Sequence, residues 1–237
     1  MRGAVRSLST GDLRQSDELG VSPFDPLLHA LEVVLRNRID YAVSAKYPID
    51  PDLQHSYRDF PSWLDAVDGP LIQPHVSRVE QAKEKVHRDL RRRYGPSRAR
   101  AKRLRTPGRL IAALPFSFWV YLFDEAYSGN RAAPGRFWPD LLPSVFPYAR
   151  NPRISQFRKR LRRLLVVRNR AMHYERLYPY DDGKGVPWEP EEIRSDILEL
   201  LQWMHPRAAR VVGTFDRIRY VMDPANRRFI HWIPWRY

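Results

Sequence analysis

Apolar residues recur along most of this chain at intervals of three and four, the repeat of a helix that buries one face. In "LLHALEVVLRNRIDYAV", residues 27 to 43, the positions Leu27, Leu31, Val34, Leu35, Arg38 and Ala42 share one face. This predicts a long amphipathic helix starting near Leu27, after the Ser, Asp and Pro start signals of "SPFDP", with Arg38 inside its apolar stripe. "KYPIDPDLQHSYRDFP" carries Pro48, Pro51 and Pro61 and reads as a loop, followed by a short helix over "SWLDAV". Residues 76 to 94, "VSRVEQAKEKVHRDLRRRY", predict a charged helix stopped by "GPS". "PGRLIAALPFSFWVYLFDEAY" predicts a buried helix kinked at Pro115, and "RFWPDLLPSVFP" a short apolar packing segment.

The longest strongly patterned helix is expected from Arg153 to about Tyr174. Another follows in "EPEEIRSDILELLQWMHPRAARVV", whose first turn carries the acids that a helix dipole favours. No internal repeat and no strand alternation with glycine loops is present, so the pattern predicts an all-α helical bundle with short irregular connections. Its expected limits are a flexible lead segment over residues 1–24, a helical domain over 25–215 and a cap or tail over 216–237.

Composition narrows the partners. With 43% hydrophobic and 12% aromatic residues in 237, the chain has material for a sizeable core. A formal net charge of +14, supplied mostly by arginine, points to an anionic partner, nucleic acid first, because guanidinium suits bidentate phosphate contacts. Cysteine is absent, which removes disulfides and thiolate metal sites. The basic start lacks an apolar signal core, and the longest apolar stretch, residues 110 to 123, falls short of the roughly 18 residues that a membrane span needs. The expectation is a soluble cytoplasmic protein with no membrane partner.

The densest positive charge lies in "RRRYGPSRARAKRLRTPGR", residues 91 to 109. Arg91, Arg92, Arg93, Arg98, Arg100, Lys102, Arg103 and Arg105 are candidate backbone contacts to RNA or DNA, since each neutralised phosphate releases counterions. The other reading of such a run is a solvated helix end and loop.

"RNRAMHYE", residues 168 to 175, follows the apolar run "LRRLLVV". On a helical wheel Phe157, Leu161, Leu164, Leu165, Arg168 and Met172 form one stripe, so Arg168 occupies a position where a leucine is expected. Asn169 and His173, four apart, flank that stripe, and Arg170 points to solvent beside Lys159 and Arg163. An unpaired guanidinium against a packing surface costs several kcal/mol, so Arg168 must face a carboxylate, a second chain or an anionic ligand. A structural ion pair with Glu32 or Glu175 satisfies this as well as a phosphate does. The Arg-to-His spacing alone is a weak signal in a chain so rich in arginine. No HExxH, glycine-rich phosphate loop, paired-metal carboxylate cluster or serine elbow offers a competing chemistry.

"RNRAMHYE" resembles the Arg-Asn-x-x-x-His signature of HEPN-domain ribonucleases, and its setting is similar to the Abi-like (AbiD/AbiF-type abortive-infection) branch. The likeness includes "LHALEVVLRNRID", the stretch near Trp63, "GRLIAALPFSFWVYLF", "FWPDLLPSVFP" and "ILELLQWMHP", in order, over about residues 25 to 215. It implies a HEPN-like bundle and an endoribonuclease that needs no metal or other cofactor. In that reading two copies meet across a two-fold axis to form a composite cleft. His173 serves as general base or acid, Arg168 holds the phosphate, Asn169 orients one or the other, and Arg170 joins the RNA contacts. Glu32, Arg36, Asn37, Arg38 and Glu175 become packing or supporting residues. Tyr174, Glu175 and Tyr178 end the helix or steer substrate. The implied setting is phage defence or a toxin held by an antitoxin. A second reading is a non-cleaving module that holds a structured noncoding RNA, and a third is a DNA-binding protein.

Overall fold

A computed structural model describes residues 24–95, 102–128, 136–173, 189–216 and 218. The lead segment up to residue 23, Arg98, Arg100, Tyr174, Glu175, Tyr178 and nearly all of the tail fall outside the described residues. Among those residues the fold is all-α, with two isolated bridges, Tyr57 to Ala66 and Ser128 to Trp138, and no strand. No helix there is long and apolar enough to cross a membrane.

The first helix, α1 (Asp25–Lys46), is the centre of the array. It opens with Asp25 and Pro26 in its first turn, where an acid meets the dipole and a missing N–H is harmless. It buries Leu27, Leu28, Leu31, Leu35, Ile39, Ala42 and Val43. The face is turned slightly from the expected one: Ile39, not Arg38, enters the core. Arg38 lies at the edge, where Nε donates to the Val145 carbonyl at 3.4 Å, Nη2 bonds the Ser144 carbonyl, and the guanidinium lies 5.7 Å from the Tyr41 ring centre. A cation can bind the free carbonyls at a helix end without desolvation in the core.

After a 3-10 turn at Gln54–Ser56 and another at Trp63–Asp65, α2 runs His75–Tyr94 and stops at Gly95, whose φ of 74° places it in the left-handed region. The single buried helix expected around Pro115 is two: α3 (Pro107–Ala113) and α4 (Phe116–Tyr121), with Leu114 and Pro115 extended between them. A short α5 (Leu142–Val145) precedes α6 (Ile154–Met172). The helix expected after residue 188 is also two, α7 (Pro190–Met204) and α8 (Pro206–Thr214). Before a proline the α conformation is crowded, and His205 takes φ −160° and ψ 92°. Its Nδ1 then accepts from the Ala208 N–H at 3.1 Å and caps α8.

Helix α1 packs against α4, α5, α6, α7 and α8, while α2 packs on α3 and on the Trp63–Asp65 turn. Aromatic rings fill the space between. Trp63 meets Trp119 and Phe137 edge to face at 6.5 and 6.0 Å, Phe123 stacks on Trp138 at 4.4 Å, and Phe146 stacks on Phe157 at 4.0 Å. Such pairs add about 0.5–1.5 kcal/mol each beyond their buried area. Trp63 Nε1 donates to Asp40 at 2.8 Å and Trp138 Nε1 to the Leu122 carbonyl at 2.6 Å, while the buried Trp119 Nε1 has no partner among the described residues.

Candidate active site

Helix α6 starts after Arg153 and buries Phe157, Leu161, Leu164, Leu165, Val167 and Ala171. The last two turns therefore face inward through Val167 and Ala171, one residue earlier than expected, and Met172 is left 56% exposed. Arg168 does not take the place of a buried leucine in the stripe. It lies on the stripe's edge, with 30% of its side chain accessible. The turn has a physical reason: small apolar Val167 and Ala171 fill the helix contact, and the guanidinium avoids the several kcal/mol of a dry position.

From that edge Arg168 Nη2 reaches Glu32 Oε2 on α1 at 3.6 Å. Glu32 is 14% exposed and belongs to the same outer strip of α1 as the half-buried Arg36, one turn on. At 3.6 Å the contact is an ion pair without a hydrogen bond, which holds the guanidinium beside α1, and among the described residues no other acid pairs with it. Asn169 and His173 are exposed one turn apart, and neither side chain is hydrogen-bonded among the described residues. His173 ends the helix: its backbone N–H bonds the carbonyls of Asn169 at 3.1 Å and Arg170 at 3.2 Å. The structure thus brings Glu32, Arg168, Asn169 and His173 to one helix end, with Asn37 exposed on α1 next to Arg36. Arg38 is not part of this group, because it is committed to the end of α5.

The remaining basic side chains of α6 are not a solvated face. Arg158 bonds Glu125 and the Phe123 carbonyl, each at 2.8 Å. Arg162 bonds Asp124 at 2.7 Å and lies over the Tyr121 ring. Arg160 pairs with Asp196 and Glu199 and stacks over Trp203 at 4.9 Å. Arg163, expected to point to water beside Arg170, pairs with Asp196 and with Glu192 at 3.5 Å. Arg170 itself is half-buried, and only Lys159 of that trio is exposed. These pairs tie α6 to α7 and to the turn after α4.

Of the expected nucleic-acid contacts, Arg91, Arg92 and Arg93 are exposed at the end of α2, and Lys102 and Arg103 are exposed before α3. Arg105 is different. Its Nη1 bonds Asp59 at 2.8 Å and its side chain is 28% exposed, so it anchors the loop to the body of the protein. Helix α2 packs on α3 whereas α6 packs on α1, α4 and α7, so the two basic groups are carried by different parts of the bundle.

A charge cluster that the sequence reading missed lies under α2. Lys83 Nζ bonds Asp65 at 2.8 Å and Glu80 at 3.0 Å, with Asp59 at 3.6 Å; its side chain is 5% exposed and that of Asp65 is not exposed. The other Asp65 oxygen accepts from the N–H groups of Asp59 at 2.6 Å and Phe60 at 2.8 Å. Burial alone would lower the Lys83 pKa, but hydrogen bonds and charge from Asp65 and Glu80 outweigh it and the ammonium is held above its usual range. The available signal was that Lys83 falls between Val79, Val86 and Leu90 on the apolar face of α2. A pocket lined by Arg58, Trp63, Leu64, Val67, Val76 and Glu80 adjoins this cluster and contains none of the signature residues.

Compared with known proteins, the chain matches no protein-family model, no curated protein and no solved structure.

Proposed function

We propose that this protein is an endoribonuclease that cuts RNA without a metal ion, through Arg168, Asn169 and His173, in a phage-defence or toxin–antitoxin setting. The observation that carries the reading is the group itself: an accessible histidine one turn from an asparagine, beside an arginine held by Glu32 at 3.6 Å without a hydrogen bond to any described residue. The reaction needs only these groups. The 2′-OH oxygen attacks the adjacent phosphorus, its proton passes to an imidazole, and the bond from phosphorus to the 5′-oxygen breaks as that oxygen gains a proton. The products are a 2′,3′-cyclic phosphate and a 5′-hydroxyl. Arg168 meets the charge that builds on the phosphoryl oxygens, where charge-assisted bonds are strongest.

One exposed histidine on a helix end cannot stand on both sides of the phosphorus at once. A second copy of the chain, meeting the first at the ends of α6, supplies the other histidine and the second wall of the cleft. The deciding experiment incubates the purified protein with cellular RNA in EDTA, beside His173→Ala, and analyses fragment ends. The expected result is cyclic-phosphate ends and a rate reduced about 100-fold or more in the variant. Equal cutting by both proteins would overturn the assignment of His173. RNA retained by both and cut by neither would favour a module that holds a structured noncoding RNA.

A further inference from the structure

Four arginines of α6, Arg158, Arg160, Arg162 and Arg163, are each paired with an acid of α7 or of the turn after α4. The second half of α2 differs. Lys85, Arg88, Arg91 and Arg92 are exposed, and the one acid paired with any of them among the described residues is Asp89, 3.4 Å from Arg92. The buried stripe of this helix is Val79, Ala82, Lys83, Val86 and Leu90, so the four cations project from the other side, in a row about 10 Å long at 1.5 Å per residue. The exposed Lys102 and Arg103 precede α3, which packs on α2.

A structural cause accounts for part of this. The helix dipole favours cations by about 0.3–1 kcal/mol, but only within the last turn. That explains Arg91 and its neighbours; Lys85 and Arg88 lie farther back, with the exposed Glu84 on the same face four residues before Arg88. The face also lacks stacking groups. Between Ser77 and Leu110 the one Phe, Tyr or Trp is Tyr94, half-buried and packed on the core. Single-stranded nucleic acid is gripped by aromatic rings stacked on unpaired bases, whereas a duplex hides its bases and offers phosphates in a fixed array.

We infer that this face of α2 and the approach to α3 is a docking surface for the phosphate backbone of base-paired RNA, separate from the cleavage group at the end of α6. The RNA part of this inference rests on the ribonuclease reading above. It makes the substrate a structured RNA, held by its duplex while another part of it reaches His173.

The test measures binding by fluorescence anisotropy with the His173→Ala chain, to a short RNA duplex, to an unstructured single strand of equal length and to the DNA duplex of the same sequence, over a salt series. A second protein adds Arg88→Gln, Arg91→Gln and Arg92→Gln, with circular dichroism to check that its fold is kept. The RNA duplex should bind at least tenfold more tightly than the single strand. The triple change should weaken it by tenfold or more and reduce the slope of log affinity against log salt by roughly 2 to 3. A single strand bound as tightly as the duplex, or an unchanged slope, would overturn the docking surface, and equal affinity for duplex DNA would overturn its assignment to RNA. The cleavage assay separates the two ideas. Loss of cutting in His173→Ala with no duplex preference removes only the docking surface, and duplex binding as described without cutting by the unaltered protein removes only the ribonuclease.

Discussion

Lys83 is the cation at the centre of the buried charge cluster under α2. Its ammonium is the partner of a carboxylate with no exposure to water, so Lys83→Met leaves Asp65 charged, buried and unpaired, a loss of about 3–5 kcal/mol in urea unfolding. Adding Asp65→Asn should recover part of that loss, since the amide oxygen still accepts from Asp59 and Phe60 while the stranded charge is gone. A double variant no more stable than Lys83→Met would show that the charge is not the cause. Because the Lys83 pKa is raised on folding, its contribution is complete below the ordinary value of 10.5 and is lost as the pH climbs through the folded value.

His75 works in the other direction. It is buried between the rings of Phe118 and Tyr127, at 5.0 and 5.1 Å, and burial holds its pKa below 6.5, with Arg78 adding to the effect and Asp124 opposing it. His87, stacked on Phe60, is shifted the same way by burial. Neutral forms are favoured in the fold, so this stability is present above about pH 6.5 and is lost as the pH falls through the folded values. His75→Leu should flatten the decline of the melting temperature below pH 6.5, leaving the share of His87. An unaltered decline would assign the acid sensitivity elsewhere.

At the scale of elements, helix ends show how local chemistry sets length. Gly95 ends α2 at φ 74° with nothing within 4 Å of where a Cβ would sit, so Gly95→Ala meets conformational strain and no clash. The expected cost is about 1 kcal/mol, or roughly 2–4 °C in melting temperature. No change would mean that the helix end relaxes freely. The helices of residues 25 to 46, 75 to 94 and 154 to 172 were legible because a 3.6-residue repeat and its breakers act over a few neighbours. The kink expected at Pro115 is a full break, and the break at His205 and Pro206 was passed over although the His-Pro pair carried the signal. The candidate group was legible as residues, since Arg168, Asn169 and His173 stand out against the leucines before them. Its orientation was not. A wheel cannot tell whether Leu165 and Met172 or Val167 and Ala171 flank the line of contact when both sets are apolar.

For the whole molecule, the net charge of +14 conceals two populations of cations. Arg158, Arg160, Arg162 and Arg163 of α6 hold helices together, and Lys85, Arg88, Arg91 and Arg92 of α2 are open to solvent, so the proposed affinity for RNA should depend on salt through the second set. The proposed two-copy cleft makes a separate demand. Met172, 56% exposed beside His173, would lie in the contact between two copies. Met172→Arg should convert a dimer to a monomer in sedimentation velocity and abolish cleavage, with little effect on the melting temperature of either form. A variant that cuts at the original rate as a monomer would remove the two-copy site.

What the sequence by itself determined is a helical chain with apolar faces, proline and glycine stops, an excess of arginine and one Arg-Asn-x-x-x-His segment, because those properties reside in adjacent residues. Only the tertiary structure decided that Glu32 stands beside Arg168, that Asp59 claims Arg105, that Asp196 claims Arg163 and that Lys83 enters the core with Asp65. A charge finds its partner across helices that are distant in sequence, and which helices lie side by side is settled by the packing of all their apolar faces together.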